Sequence, residues 1–281
     1  DLLKLKVSVF PLPEKMMRDR SGYFNKAIKG GMPDSLTVSS RPLGKSGLIE
    51  PRLSGVGPFP QDLRAEHGYD NQADHLSLSP LLMEAFFQLS RTIVTSSTFG
   101  PKTVGIWNEF FQAPSEKENV EKVLSARLKP FLTRAFRRPV KKETLKRYRS
   151  HAVGSLKNGA SFEATMKDVV SAVLASPRFL YLYDSLGEQE EALSGEALLA
   201  SRLSFFLWGS LPDEELLELA RIGQLSDAKV LNGQLDRMLS DPKLKRFCDS
   251  FPTQWLQLDR IISAVPDEKT YPDFYYAAPS Y

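Results

Sequence analysis

The segment Glu66–His67–Gly–Tyr–Asp70–Asn71–Gln–Ala–Asp74–His75 gathers two imidazoles and several carboxylates within ten residues. Imidazole and carboxylate groups ligate zinc and other transition ions. Asp70, Asn71 and Asp74 also offer the oxygen ligands that calcium takes. The candidate metal ligands are therefore His67, Asp70, Asp74 and His75. Their spacing is neither H-E-x-x-H nor the EF-hand loop. Asp and Asn ahead of a helix usually make turn and cap hydrogen bonds. The reading that follows is structural: these side chains fix the entry to the next helix. A second candidate is the lone thiol, Cys248. A nucleophilic cysteine needs a paired base. Cys248 sits in an apolar-periodic stretch with no histidine near it, so a buried, inert thiol is expected.

The third candidate is basic. Arg134–Ala–Phe–Arg137–Arg138–Pro139–Val140 lies in a stretch, Arg127 to Arg149, with ten Lys or Arg residues and one acid, Glu143. Such a stretch can hold phosphates, anionic polysaccharide or an acidic protein. The opposite bias runs from Asp184 to Glu218, with nine acids and one base, Arg202. The simplest expectation is that these two segments face each other, and an anionic-polymer site on residues 127–149 is the runner-up. Arg134, Arg137 and Arg138 stand at i, i+3 and i+4, which places them on one helix face. There their guanidinium forks suit carboxylates and helix-terminal carbonyls. Tying a helix end to its neighbours is favoured over a ligand role. No P-loop, G-x-G-x-x-G or G-x-S-x-G is present, and no catalytic motif is identified. Nucleic acid is not an expected partner, because no readable module interleaves the basic residues.

Helices must position these groups. Ser79–Pro80 reads as an N-cap followed by proline at the first helical position. Ser115-x-x-Glu118 reads as a capping box that opens a helix through Val120, Val123, Leu124 and Leu128, which Pro130 should kink or split. Leu145, Tyr148, Ala152 and Leu156 mark another helix. Phe162, Met166, Val169 and Val173 mark a third, starting near Ser161 and closed by Ser176–Pro177. Ser194 heads another, Pro212–Asp–Glu–Glu215 reads as the acidic first turn of the next, and Ser226 and Asp241–Pro242 start two more, with Pro252 a kink in the last. Leu203, Phe206, Phe247, Phe251 and Trp255 should share one core, and Trp208 fits a helix core as well. Tyr271, Phe274, Tyr275 and Tyr276 form an aromatic cluster suited to packing against further chain, with a sugar-stacking platform as the alternative. Gly and Pro punctuate residues 22–60, and Leu5–Phe10 is ambiguous between strand and helix end.

The expected fold is mainly α, with an irregular N-terminal region packed on two helical units. The boundaries read as 1–78 irregular, 79–186 helical with the basic segment, and 187–281 a second helical unit. At 281 residues with 42% hydrophobic content, the chain can bury a substantial core. A net charge of +3 implies no polyanion partner by itself, and one cysteine excludes an internal disulfide or a C-x-x-C-H haem attachment. No apolar run approaches a membrane span. With no initiator methionine, the chain reads as an internal piece of a longer protein.

Three sets of residues carry a resemblance. They are Tyr69–Asn71 with Leu76–Leu82; Phe131–Val140 with Ser176–Leu180; and Leu199–Leu219, Met238–Pro242 and Gln254–Leu256. The chain resembles the large exported planctomycetal-type proteins made of serial domains of unknown function, often fused to a c-type cytochrome segment. Residues 10–65 match that pattern poorly. The resemblance implies a periplasmic or cell-surface location, and a c-type haem elsewhere in the full-length protein but no cofactor in these residues. The leading expectation is a helical scaffold or interaction module whose partners are the remainder of the same polypeptide and other proteins. The alternatives are part of an enzyme, either a haem oxidoreductase or a metal-dependent hydrolase using residues 66–75, and the anionic-polymer module.

Overall fold

The computed structural model describes residues 1–7, 53, 55–56, 69, 79–116, 118–181, 195–258, 267 and 269–270, with the backbone of 35–36 and 50–51. The fold is mainly α. The two strands, β1 (Ser35–Leu36) and β2 (Glu50–Pro51), are two residues each and pair antiparallel. Helix α1 (Pro80–Thr95) begins as the sequence predicts: Ser79 Oγ accepts from the Leu82 amide at 3.1 Å, and Pro80 occupies the first turn. The short α2 (Trp107–Phe110) follows, then α3 (Val120–Phe136), α4 (Lys142–Lys157) and α5 (Phe162–Leu174). After the four-residue α6 (Pro177–Leu180) come α7 (Gly195–Trp208), α8 (Glu214–Arg221) and α9 (Ala228–Leu239). A 3-10 turn, Pro242–Leu244, leads into α10 (Lys245–Trp255).

Two hydrophobic cores form. The first joins α1 to α5 and α3 to α4, and buries Leu124, Leu128, Leu132, Met166, Val169 and Val173. Ser90 and Ser171 hydroxyls bond across the α1–α5 contact at 3.1 Å. Phe110, at the end of α2, packs its ring 4.4 Å from that of Phe131 in α3. The N-terminal residues belong to this core: Leu2, Leu3, Leu53 and Val56 are buried in it. Leu5 bridges Val104, and the Gly105 amide donates to the Lys4 carbonyl at 2.9 Å. A Cβ at Gly105 would stand 2.5 Å from that carbonyl oxygen, so only glycine admits the approach. The second core is smaller. Trp208, Leu216, Leu225 and Met238 are fully buried where α7 meets α8 and α9. Trp208 Nε1–H donates to the Met238 carbonyl at 3.0 Å, with Lys243 and Arg237 cations over its ring.

Several local expectations are corrected. Ser115 and Glu118 bond each other in a turn before the helix, and the cap of α3 is Asn119, whose side chain accepts from the Lys122 amide. Pro130 neither splits nor ends α3. Ala126 and Pro130 are both exposed, so solvent can serve the carbonyl that proline leaves without a donor. Ser176–Pro177 does more than close α5, because Ser176 caps α6. Asp227, not Ser226, caps α9. Ser226 instead donates to Glu196 on α7. Pro252 lies inside an uninterrupted α10.

The aromatic core expected around Trp255 is also corrected. Phe206 and Trp255 are 57% and 63% exposed. They join Phe247 and Phe251 in a ladder of ring contacts along the outside of α7 and α10, to which Tyr69 adds a stacked ring 5.6 Å from Phe251. Helical periodicity finds the apolar stripe but cannot say whether anything covers it. Cys248, on the same short helix, is exposed rather than buried.

Candidate functional site: an arginine-lined cleft

The end of α3 is built around Arg137. It is not on the helix face with Arg134. Arg137 is the C-cap residue, in the left-handed conformation at φ 58°, ψ 26°. Arg138 lies beyond it, its amide donating back to the Thr133 carbonyl at 3.2 Å. The i, i+3, i+4 spacing therefore misleads, because the helix stops after Phe136. The reversal turns Arg137 inward, where it is 3% exposed. Its guanidinium donates to the carbonyls of Ala135 (3.3 Å), Arg178 (3.0 Å), Phe179 (3.1 Å) and Tyr181 (2.6 Å). It also lies 5.7 Å from the Phe205 ring centroid on α7. One side chain thus closes the carbonyl end of α6 and touches the second helical unit. Burial, and then the adjacent Arg138 charge, pulls its pKa down to about 10.

Arg137 backs a cleft of ≈ 1440 Å³ lined by residues of both helical units. Among the described residues nine Lys or Arg line it: Lys4, Arg127, Lys129, Arg134, Arg137, Arg138, Lys141, Arg178 and Arg221. Among the same residues three acids do, Glu109, Glu214 and Glu218. Between the charges the wall is apolar, with Phe110, Pro130, Phe131, Pro139, Val140 and Leu217. Arg127 is fixed by the carbonyls of Phe110 (3.1 Å) and Gln112 (2.5 Å), and its guanidinium lies over Phe162. Burial lowers its pKa, partly offset by the Glu118 charge. Arg178 donates to Thr144 Oγ1 at 3.0 Å. Arg134 gives one Nη2–H to the Asp1 carbonyl at 3.3 Å, and its buried Nε–H has no partner. Lys129 is exposed on the cleft wall.

The expected pairing of basic and acidic segments takes a different form. Glu214 and Glu218 on α8 border the same cleft as Arg127 to Lys141, so the segments share one cleft. The α8 acids, however, have cations of their own unit. Glu218 holds Arg221 at 2.6 Å, and Asp213 holds Arg237 at 2.6 Å. Burial pushes the Asp213 carboxyl up, but Arg237's hydrogen bond, the Leu216 amide and the charges of Arg237 and Lys243 outweigh it and hold the pKa below 3.8. Residues 184–194 lie outside the described residues.

The same holds for His67, Asp70, Asp74 and His75, and for Tyr271–Tyr276. Among the described residues no group of three or more metal-ligating side chains gathers, and no helix is long and apolar enough to cross a membrane. Sequence reasoning singled out Arg134, Arg137 and Arg138, and took in Lys129 only within the segment 127–149, but missed Arg178 and Arg221 as cleft residues. Arg178 stood in a quoted motif, Ser176–Leu180, and its partnership with the basic segment was the available signal.

Family models match along the chain in three places. Residues 48–98 match a Protein of unknown function (DUF1587), 124–184 a Protein of unknown function (DUF1595), and 195–280 a Protein of unknown function (DUF1592). The chain carries three domains of unknown function in series. The first match begins at residue 48, so part of the segment that seemed to depart from the resemblance, residues 48–65, lies inside a matched domain. The second holds α3 to α6, and the third holds α7 to α10. The cleft is lined by residues of both the second and the third. No curated protein and no solved structure matches the chain.

Proposed function

We propose that this chain is a helical interaction module of a larger exported, cytochrome-linked protein, and that it works by holding an anionic ligand in the cleft between its second and third domains. The observation that carries this reading is the charge of the cleft, nine cations against three acids among the described residues around ≈ 1440 Å³. A net charge of only +3 over 281 residues makes that concentration local rather than a property of the whole surface. Low-dielectric walls focus the field of such a cluster, so an anion gains more there than on an open surface. The resemblance to exported proteins supports a periplasmic or cell-surface setting for this binding. The test is association with dextran sulfate at increasing ionic strength. Binding that weakens steeply with salt, and weakens further on Lys129→Glu, is the expected result. Binding that is absent, or indifferent to both salt and that charge reversal, removes the reading.

A further inference from the structure

We infer that the ligand of the cleft is an acidic oligosaccharide, whose ring faces rest on the apolar wall while its carboxylates reach Lys129 and Arg134. This rests on the anion-binding reading above and names the ligand within it. Size is the first argument. Pockets for small ligands run to about 1,000 Å³, and ≈ 1440 Å³ exceeds that range, which favours a chain of several units over a single small anion.

The wall then discriminates among anionic chains. A single-stranded nucleic acid takes much of its affinity from bases stacked on exposed aromatic faces, about 1–3 kcal/mol per base. Among the described residues the cleft's aromatic side chains offer none. Phe110, Phe131 and Phe136 are 4%, 7% and 3% exposed, committed to the first core. An extended acidic peptide brings backbone N–H and C=O groups that need partners. The walls supplied by α3 and α8 are helices, and the carbonyl that Pro130 leaves without a donor is no strand edge, so strand addition has nothing to extend. A uronate chain avoids both problems. Its C–H faces suit Pro130, Pro139 and Leu217, while its carboxylates and hydroxyls project sideways toward cations. Arg134 retains donor capacity for such a group at the tip of its guanidinium, since its described bond is a single one, from Nη2 to the Asp1 carbonyl.

The experiment is calorimetric or fluorescence titration of the 281-residue chain with four probes: oligogalacturonate, its methyl ester, polyglutamate, and single-stranded DNA of the same charge. Oligogalacturonate should bind most tightly, and esterification, which removes the charges but keeps the rings, should weaken it at least tenfold. Lys129→Glu should weaken it about tenfold, from removing one attraction and adding one repulsion at ~6 Å in a high-dielectric setting. Arg134→Gln should weaken it by a similar factor. Lys146→Glu, an exposed change on α4 away from the cleft, should leave it unchanged. Polyglutamate or DNA binding as tightly as oligogalacturonate overturns the ligand class while the anion-binding reading stands. Equal effects of Lys146→Glu and Lys129→Glu overturn the location. If none of the anions binds, both readings fall together.

Discussion

Arg137 is the residue on which the end of the first helical unit depends, and its replacement separates two effects. Truncation to Ala removes donors from four carbonyls, three of them at 3.1 Å or less. Hydrogen bonds from a charged donor contribute roughly 1.5–3 kcal/mol each, so the three shorter ones sum to about 5–9 kcal/mol gross. Against this stands the cost of burying the guanidinium. Burial pulls its pKa well below the usual guanidinium value, to about 10, which corresponds to ~3 kcal/mol that truncation gives back. The net expectation for Arg137→Ala is a loss of about 2–6 kcal/mol. The backbone adds a second signature. At φ 58° a Cβ is strained by about 1 kcal/mol, so Arg137→Gly should be about 1 kcal/mol more stable than Arg137→Ala although it loses the same bonds. Urea denaturation followed by circular dichroism measures both variants. The reasoning is refuted if Ala lies within 0.5 kcal/mol of the parent protein, or if Ala is more stable than Gly.

Three further outcomes follow from burial and charge. Trp208→Ala should cost about 3–5 kcal/mol through a cavity and an orphaned Met238 carbonyl, whereas Trp255→Ala, at a 63% exposed position, should cost under ~1 kcal/mol; equal costs in denaturation would contradict the placement of both. The Asp213 carboxyl has its pKa below 3.8 when folded, so the stability it contributes is present above that ordinary value and is lost as pH falls through the folded one. Asp213→Asn should flatten the acid limb of a stability-against-pH curve, and an unchanged limb would show that Arg237 does not hold the carboxylate. The exposed Cys248 thiol should react with a disulfide reagent in the native protein nearly as fast as in urea, and reaction only on unfolding would place it inside.

Helices were legible wherever a cap and a periodic stripe coincided. Ser79–Pro80 and Ser161 each head the helix they announce, and the acidic turn at Pro212–Glu215 marks the next to within two residues, with Asp213 as its cap. At Pro130 the helix is not split but runs on, because the lost bond faces solvent, which can serve the freed carbonyl. The arginine cluster was legible as charge but not as geometry. The spacing of Arg134, Arg137 and Arg138 assumes that the helix continues, and nothing local announces that Arg137 takes a left-handed cap in place of the usual glycine. The cleft itself lay beyond a sequence reading, since it depends on how α3 and α8 stand to each other. The stripe through Phe206, Phe247, Phe251 and Trp255 was seen correctly as apolar and wrongly as covered, because periodicity records a face and not what lies over it.

The central claim is that residues at the end of α3 and the start of α4, with Arg178 and α8, form an anion site. Hydrogen–deuterium exchange of the chain with and without saturating oligogalacturonate tests it most directly. Protection confined to residues 126–141, the Arg178 region and residues 214–221 is the predicted result. Protection on the outer face of α4 or along α10, with the cleft unchanged, would contradict it.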